Sequence, residues 1–352
     1  MIVFSIGLPS QFALWCDRLT TRLVELNGGA VRAVDGDSLE EVAIAAVQSA
    51  ADHLVVCSRQ PGNRLQSEIL RNNQPFILAF GDPRAAVYRL LATGAADLGL
   101  ATRRVASGCA AMQALASAPN ALVLSAHSAG DPVAAAMAIA QHLGLRIDAD
   151  EIACAVGELS PGAFSIADGV GADGAGSGLD ERAQAVVDGA ILPYVRLAQG
   201  TALESLVWER ELMYLYEDPP AAAPVAAIRA VNLAGHARVV IYGPFITLPP
   251  GDWFANVTLA LSAETAGIRF LLEVFAGIQL AGTHLESTGE RVMNLSLYFT
   301  VPETIEMPIE IRVLIEQRAA KGQLAFGQVT LRPEKGVEKN IKNNLTKMLQ
   351  VP

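Results

Sequence analysis

From residue 1 to about 157, short apolar runs bounded by turn residues alternate with segments of helical length. Ile2–Ile6, Ala30–Val34, His53–Cys57, Phe76–Phe80 and Ala121–Ser125 read as strands. Gln11–Leu26, Leu39–Ala51, Arg64–Asn72, Pro83–Thr93, Arg103–Ala116 and Pro132–Leu143 read as helices. The strand runs are apolar throughout rather than alternating, which suits strands covered on both faces. Strand and helix in strict succession predict a parallel sheet inside an α/β three-layer sandwich. Residues 148–181 hold eight acidic residues and no basic one, and 169–178 are glycine-rich. The carboxylate offsets do not match a calcium loop, so this stretch reads as a solvated loop. A helical region over Glu181–Val187 and Thr201–Tyr216 follows.

Past Asp218-Pro-Pro-Ala-Ala-Ala-Pro224, a semi-rigid linker by composition, the period falls to two. Met293, Leu295, Leu297, Phe299 and Val301 alternate with Asn294, Ser296, Tyr298 and Thr300. Ile309, Ile311, Val313 and Ile315 alternate with Glu310, Arg312, Leu314 and Glu316, and Trp253–Leu261, Ile268–Phe275 and Leu324–Leu331 behave alike. Half-buried strands at this spacing predict an antiparallel, jelly-roll-like β-sandwich. The expected organisation is an α/β domain over 1–217, a linker over 218–227, a β-sandwich over 228–333 and a polar, lysine-rich tail over 334–352.

Composition narrows the classes of function. The 352 residues carry 26 basic and 36 acidic side chains, a formal charge of −10, which argues against broad nucleic-acid binding. Apolar stretches such as 268–281 are interrupted by Arg269 and Glu273 well short of a membrane span. The amino terminus reads as a strand and turn rather than a signal peptide. Cys16, Cys57, Cys109 and Cys154 show neither paired nor metal spacing, so the expectation is reduced thiols, no metal and a cytoplasmic protein. All five lysines lie at or beyond Lys321, so no chemistry before it can use an ammonium group.

The first strand runs into Gly7-Leu8-Pro9-Ser10-Gln11-Phe12-Ala13-Leu14-Trp15 and then a helix, the usual place for a phosphate in an α/β sheet. Cradling one needs glycines within the turn and a cation to offset its charge. This turn has one glycine, at its start, and no basic residue.

The segment resembles the opening loop of the P-loop sulfotransferases, with matches at Gly7, Leu8, Pro9 and Trp15. Phe80-Gly81-Asp82-Pro83-Arg84 through Leu91 is similar to that family's Arg-Asp-Pro-Arg segment, and Ala121–Leu145 to a third, so the resemblance covers about 1–215. It implies an inherited fold whose donor would be 3′-phosphoadenylyl sulfate. At the positions that would hold the donor, however, stand Ser10, Gln11, Phe12, Ala13 and Leu14, with Gly81 and Arg89 at those clamping its 3′-phosphate. Sulfuryl transfer relies on cations that offset charge growing on the oxygens, so losing several donors predicts a non-catalytic domain without cofactor. Ser10, Gln11, Arg84, Arg89 and His127 remain as residual anion- or nucleotide-site positions. Each has an ordinary structural reading, as does the pair Arg103-Arg104 at an expected helix start.

In the second half, glycan recognition would need aromatic faces and planar polar groups. Tyr242, Trp253 and Tyr298 are the candidates, and Glu286, Glu310 and Glu316 read as solvated. The Tyr-Gly-Pro-Phe to Asp-Trp stretch and Val329-Thr-Leu-Arg-Pro333 resemble sandwich modules attached to bacterial polysaccharide-synthesis proteins. Together the resemblances imply a non-catalytic accessory protein of surface polysaccharide assembly that binds a glycan or a partner protein. Two alternatives stand beside it: a transferase with a rebuilt donor site, and a homo-oligomeric scaffold.

Overall fold

The computed structural model describes residues 1–126, 131–159, 179–198, 205–216, 225–305 and 307–334. The chain divides after Gly178 into two compact units.

The first unit is built on a five-stranded parallel sheet of β1 (Ile2–Gly7), β2 (Val31–Asp35), β3 (His53–Ser58), β4 (Phe76–Phe80) and β5 (Ala121–Ser125), in the order β2-β3-β1-β4-β5. Its helices among the described residues are α1 (Gln11–Leu26), α2 (Leu39–Gln48), α3 (Asn63–Arg71), α4 (Pro83–Ala92), α5 (Leu98–Ala116), α6 (Pro132–His142) and α7 (Ala149–Leu159). Val3, Val55, Ile77, Ala79 and Leu124 on one sheet face join α1, α6 and α7 in a single apolar core. Successive side chains of a strand point to opposite faces, and Phe4, Ile6, Leu54, Val56, Phe76 and Leu78 are buried on the other one. Side-chain caps start most of these helices, the fullest being at α2, where Ser38 and Glu41 form a capping box.

Two expectations change here. The acidic stretch begins as helix α7, whose Ile152, Ala155 and Val156 are buried, because its apolar residues recur at helical spacing. Arg103 lies well inside α5 and is only 8% exposed, so it is no solvated helix start. Residues 160–178, including the glycine-rich 169–178, lie outside the described residues, as do 217–224 and 335–352.

The second unit opens with α8 (Glu181–Ala198) and continues into β6 (Leu206–Glu209) and β7 (Tyr214–Leu215). The helix expected over Thr201–Tyr216 is thus, in its described part, two short strands joined by a single 3-10 turn at Arg210–Leu212. Leu206-Val-Trp-Glu209 gains a ladder on β17, and pairing with a distant strand overrides local preference. The sandwich therefore takes strands from before 217 as well as after 228. Beyond them come β8 (Val225–Ala226), β9 (Val231–Asn232), β10 (Arg238–Tyr242), β11 (Pro244–Ile246), β12 (Gly251–Leu261), β13 (Arg269–Phe275), β14 (Gln279–Glu286), β15 (Arg291–Val301), β16 (Ile309–Ile315) and β17 (Gln323–Pro333).

One sheet has five strands, β15-β12-β17-β6 with β9 on β17; the other has seven, β14-β13-β16-β10-β7-β8 with β11 on β16. Trp253, Ala255, Val257, Leu259 and Leu261 of β12 face the core with Leu297, Phe299, Val329, Leu331 and Trp208, all buried. The core face of the seven-stranded sheet carries Phe270, Leu272, Val274, Ile311, Val313 and Ile315. Period two breaks at β17, where Phe326 and Val329 both point inward across a bulge opposite β12. Gly327 occupies the bulge; a β-carbon there would press on Thr258 at 3.1 Å.

Candidate functional site

At the carboxyl edge of the parallel sheet, the turns after β1 and β4 come close together. Ser10 caps α1, its Oγ accepting from Ala13 N at 3.2 Å, and is 3% exposed. A β-carbon on Gly81 would fall 2.6 Å from that oxygen, so the β1 and β4 turns are in close approach. Gln11 is exposed, Arg84 and Arg89 are half-buried, and all three engage other groups of the chain. His127 lies outside the described residues.

The turn itself carries no cation, but the fold supplies one. Arg59, at the end of β3, points Nη1 at the Gly7 carbonyl at 3.4 Å and pairs through Nη2 with Asp17 of α1. Asp17 is buried and also accepts from Ser5 Oγ at 2.7 Å. Burial pushes its carboxyl above the ordinary aspartate value, against the opposing pull of Arg59 and Ser5. The guanidinium is already neutralised by a carboxylate, so it is a poor lure for an incoming anion. Nearby, Asp37 Oδ1 accepts from Ser58 Oγ and from the amides of Arg59 and Gln60 at 2.6–2.8 Å, fixing the β3 turn.

The sandwich places its three aromatic candidates in three different settings. Trp253 is fully buried, and its indole N–H donates to the Pro249 carbonyl at 3.1 Å, so it offers no ring face to a ligand. Its odd-numbered neighbours on β12 are core residues, and it shares their side of the strand. Tyr298 is 49% exposed on the outer face of the five-stranded sheet, tilted against Phe254 with ring centroids 5.1 Å apart. Beside that pair run three cross-strand hydrogen bonds: Thr300 to Asp252 at 2.5 Å, Ser296 to Asn256 at 2.6 Å and Thr258 to Asn294 at 2.7 Å. Desolvation and the Asp252 and Glu334 carboxylates push the Tyr298 phenol above its usual value.

Tyr242 stands on the other sheet, in company that the sequence did not disclose. It pairs across the strands with Tyr214, ring centroids 5.6 Å apart. Phe245 completes a triangle, 6.1 Å from Tyr214 and 5.9 Å from Tyr242. All three rings are half-buried. Phe245 adopts φ 65°, a left-handed conformation that costs an L-residue with a bulky side chain about 1–2 kcal/mol.

Ile241 pairs with Val313, so Tyr242 falls beside Arg312 on the outer face. Arg312 donates through Nε and Nη2 to Glu310 at 2.9 and 3.0 Å, and its Nη1 lies 3.7 Å from Glu273. The guanidinium carbon sits 3.5 Å from the centroid of the Phe275 ring. Glu310, expected to be solvated, is 6% exposed, and Glu273 is 7% exposed, because both turn towards Arg312. One row across the sheet thus reads Tyr214, Tyr242, Arg312, Glu273, Gly282.

Among the described residues, no group of three His, Cys, Asp or Glu side chains is placed to hold a metal ion. Nor is any described helix long and apolar enough to cross a membrane.

No family model and no curated protein matches this chain. Solved structures resemble it in part, and several are carbohydrate-binding modules. TmCBM61 in complex with beta-1,4-galactotriose is 16% identical, over 39% of this chain and 92% of that one, with a TM-score of 0.24. The carbohydrate-binding module CBM36 in complex with calcium and xylotriose is 14% identical over 36% and 98%, at 0.24. The C-terminal CBM6 of LamC from Zobellia galactanivorans is 17% identical over 36% and 98%, also at 0.24.

Proposed function

We propose that the β-sandwich is a glycan-binding module whose site is the Tyr214–Tyr242–Phe245 surface of the seven-stranded sheet. The observation that carries this reading is Phe245, a bulky residue held at φ 65° so that its ring completes the cluster. Strain of this kind persists where a fold is built around a task. Aromatic faces stack on the C–H patches of sugars, and the carboxylates of Glu310 and Glu273 and the amide of Gln279 are planar groups for hydroxyls. The α/β unit we read as a sulfotransferase-like domain without a working donor site, supported by the Ser10–Gly81 approach and the neutralised Arg59. A role beside surface polysaccharide assembly rests on the sequence resemblances of the two halves.

Binding of the full chain to immobilised glycans tests the site. Tyr242→Ala should weaken binding about tenfold, the loss of roughly 1.4 kcal/mol, while Tyr298→Ala leaves it within twofold. If the two variants behave the other way round, the five-stranded face is the site.

A further inference from the structure

We infer that the glycan taken by this face carries a free amine. This names the sugar class for the site proposed above and rests on that reading. Glu273 and Glu310 share a single guanidinium, so the cluster holds one negative charge in excess at two carboxylates that are each under 10% exposed. The sharing is unequal. Glu310 takes two short bonds from Arg312, whereas Glu273 has one longer contact at 3.7 Å. Arg312 is further committed by its seat on Phe275, so it has little to offer an acidic sugar.

Glu273 is the under-compensated group, and its cross-strand neighbour on the β14 side is Gly282, which places no side chain over it. The amide of Gln279 fills the space a β-carbon would take there. An ammonium group reaching Glu273 would complete the charge balance that Arg312 leaves unfinished, and poorly solvated carboxylates reward such pairing more than exposed ones do. The rings of Tyr242 and Tyr214, next in the same row, would take the sugar's apolar face. A uronate or sulfate would meet the excess negative charge instead, and an N-acetyl group would bring no charge to offset it.

Calorimetry on the full chain near pH 6 with three oligomer series decides the matter: β-1,4-linked glucosamine, the same oligomers N-acetylated, and oligogalacturonate. The amine series should bind at least tenfold more tightly than the acetylated series, with the uronates weaker still. Glu273→Gln should reduce the amine preference to within twofold, and its melting curve shows that the variant folds. Glu310→Gln, melting as a folded protein, should free Arg312 and narrow the gap to the uronates. Non-specific attraction of a polyamine to a chain of net charge −10 would survive Glu273→Gln almost intact, so a preference that persists in this variant overturns the inference. Binding that Tyr242→Ala abolishes but that shows no amine preference overturns it alone. Absence of binding to any glycan overturns both readings.

Discussion

Asp17 and Arg59, 42 residues apart, meet at the carboxyl edge of the parallel sheet, where Ser5 hydrogen-bonds the same carboxylate. Burial already holds the Asp17 carboxyl high, and the guanidinium opposes that shift. Arg59→Met removes the opposition, so the folded-state pKa rises further above its unfolded value near 3.8. The variant should lose about 3 kcal/mol at neutral pH. That loss is complete above the raised pKa and shrinks as pH falls through it, because the folded state then holds a proton that the unfolded chain does not. Urea titrations at pH 8 and pH 5 measure the difference; equal destabilisation at both would contradict the assignment. Asp17→Asn combined with Arg59→Met should regain much of the loss at neutral pH.

The backbone at Phe245 supplies a second test. Phe245→Gly and Phe245→Ala both delete the ring, but only glycine is at ease at φ 65°. The glycine variant should be about 1 kcal/mol more stable than the alanine variant by thermal or chemical melting. Both should lose glycan binding to a similar degree. Equal stabilities would show that the backbone there relaxes without cost.

Trp253 is a core residue, and its removal should be read in stability. Trp253→Ala should cost about 3–5 kcal/mol. Trp253→Phe should cost far less, including about 1 kcal/mol for the Pro249 carbonyl left without its indole donor. A Trp253→Phe protein that keeps its melting curve yet loses glycan binding would restore the residue to the binding surface.

Thiol reactivity distinguishes the cysteines. Cys154 is exposed, while Cys16, Cys57 and Cys109 are buried. Burial raises all three of those thiols, Cys57 to about 12. A thiol-exchange reagent at pH 8 should therefore react rapidly with one equivalent in the native protein, and with the other three only on unfolding. Rapid titration of a second native equivalent would mean that the α/β core opens.

The Arg59–Asp17 pair makes a prediction of its own. Titration with 3′-phosphoadenylyl sulfate should give no saturable heat in the micromolar range, since Arg59 is committed to Asp17 and no lysine precedes Lys321. A saturable isotherm lost in Arg84→Ala and Arg89→Ala would revive the transferase reading.

Much of this architecture is readable in the chain. Unbroken apolar runs such as Ile2–Ile6 mark strands covered on both sides, and the alternation along β15 and β16 fixes which side chains face the core. Trp253, a candidate for the binding surface by its residue type, keeps phase with Ala255 and Val257 and is buried with them. Other features depend on contacts that no local pattern encodes. Leu206–Glu209 becomes a strand because β17 lies beside it, and Glu310 is buried because Arg312 and Glu273 converge there. Tyr242 was identifiable as a candidate, but its partners Tyr214 and Phe245 came from a segment expected to be helical and from a residue whose left-handed backbone only the three-dimensional fold reveals.

The placement of β17 has a consequence for biogenesis. This strand, the last among the described residues, lies between β12 and β6, so the ladder on Leu206–Glu209 waits for residues more than a hundred positions later to leave the ribosome. Until then β12 and β6 expose naked edges with nothing to zip against. A nascent chain of this kind should rely on chaperones late in translation, and clipping even a few residues before Pro333 should unravel a sheet whose other strands were made long before.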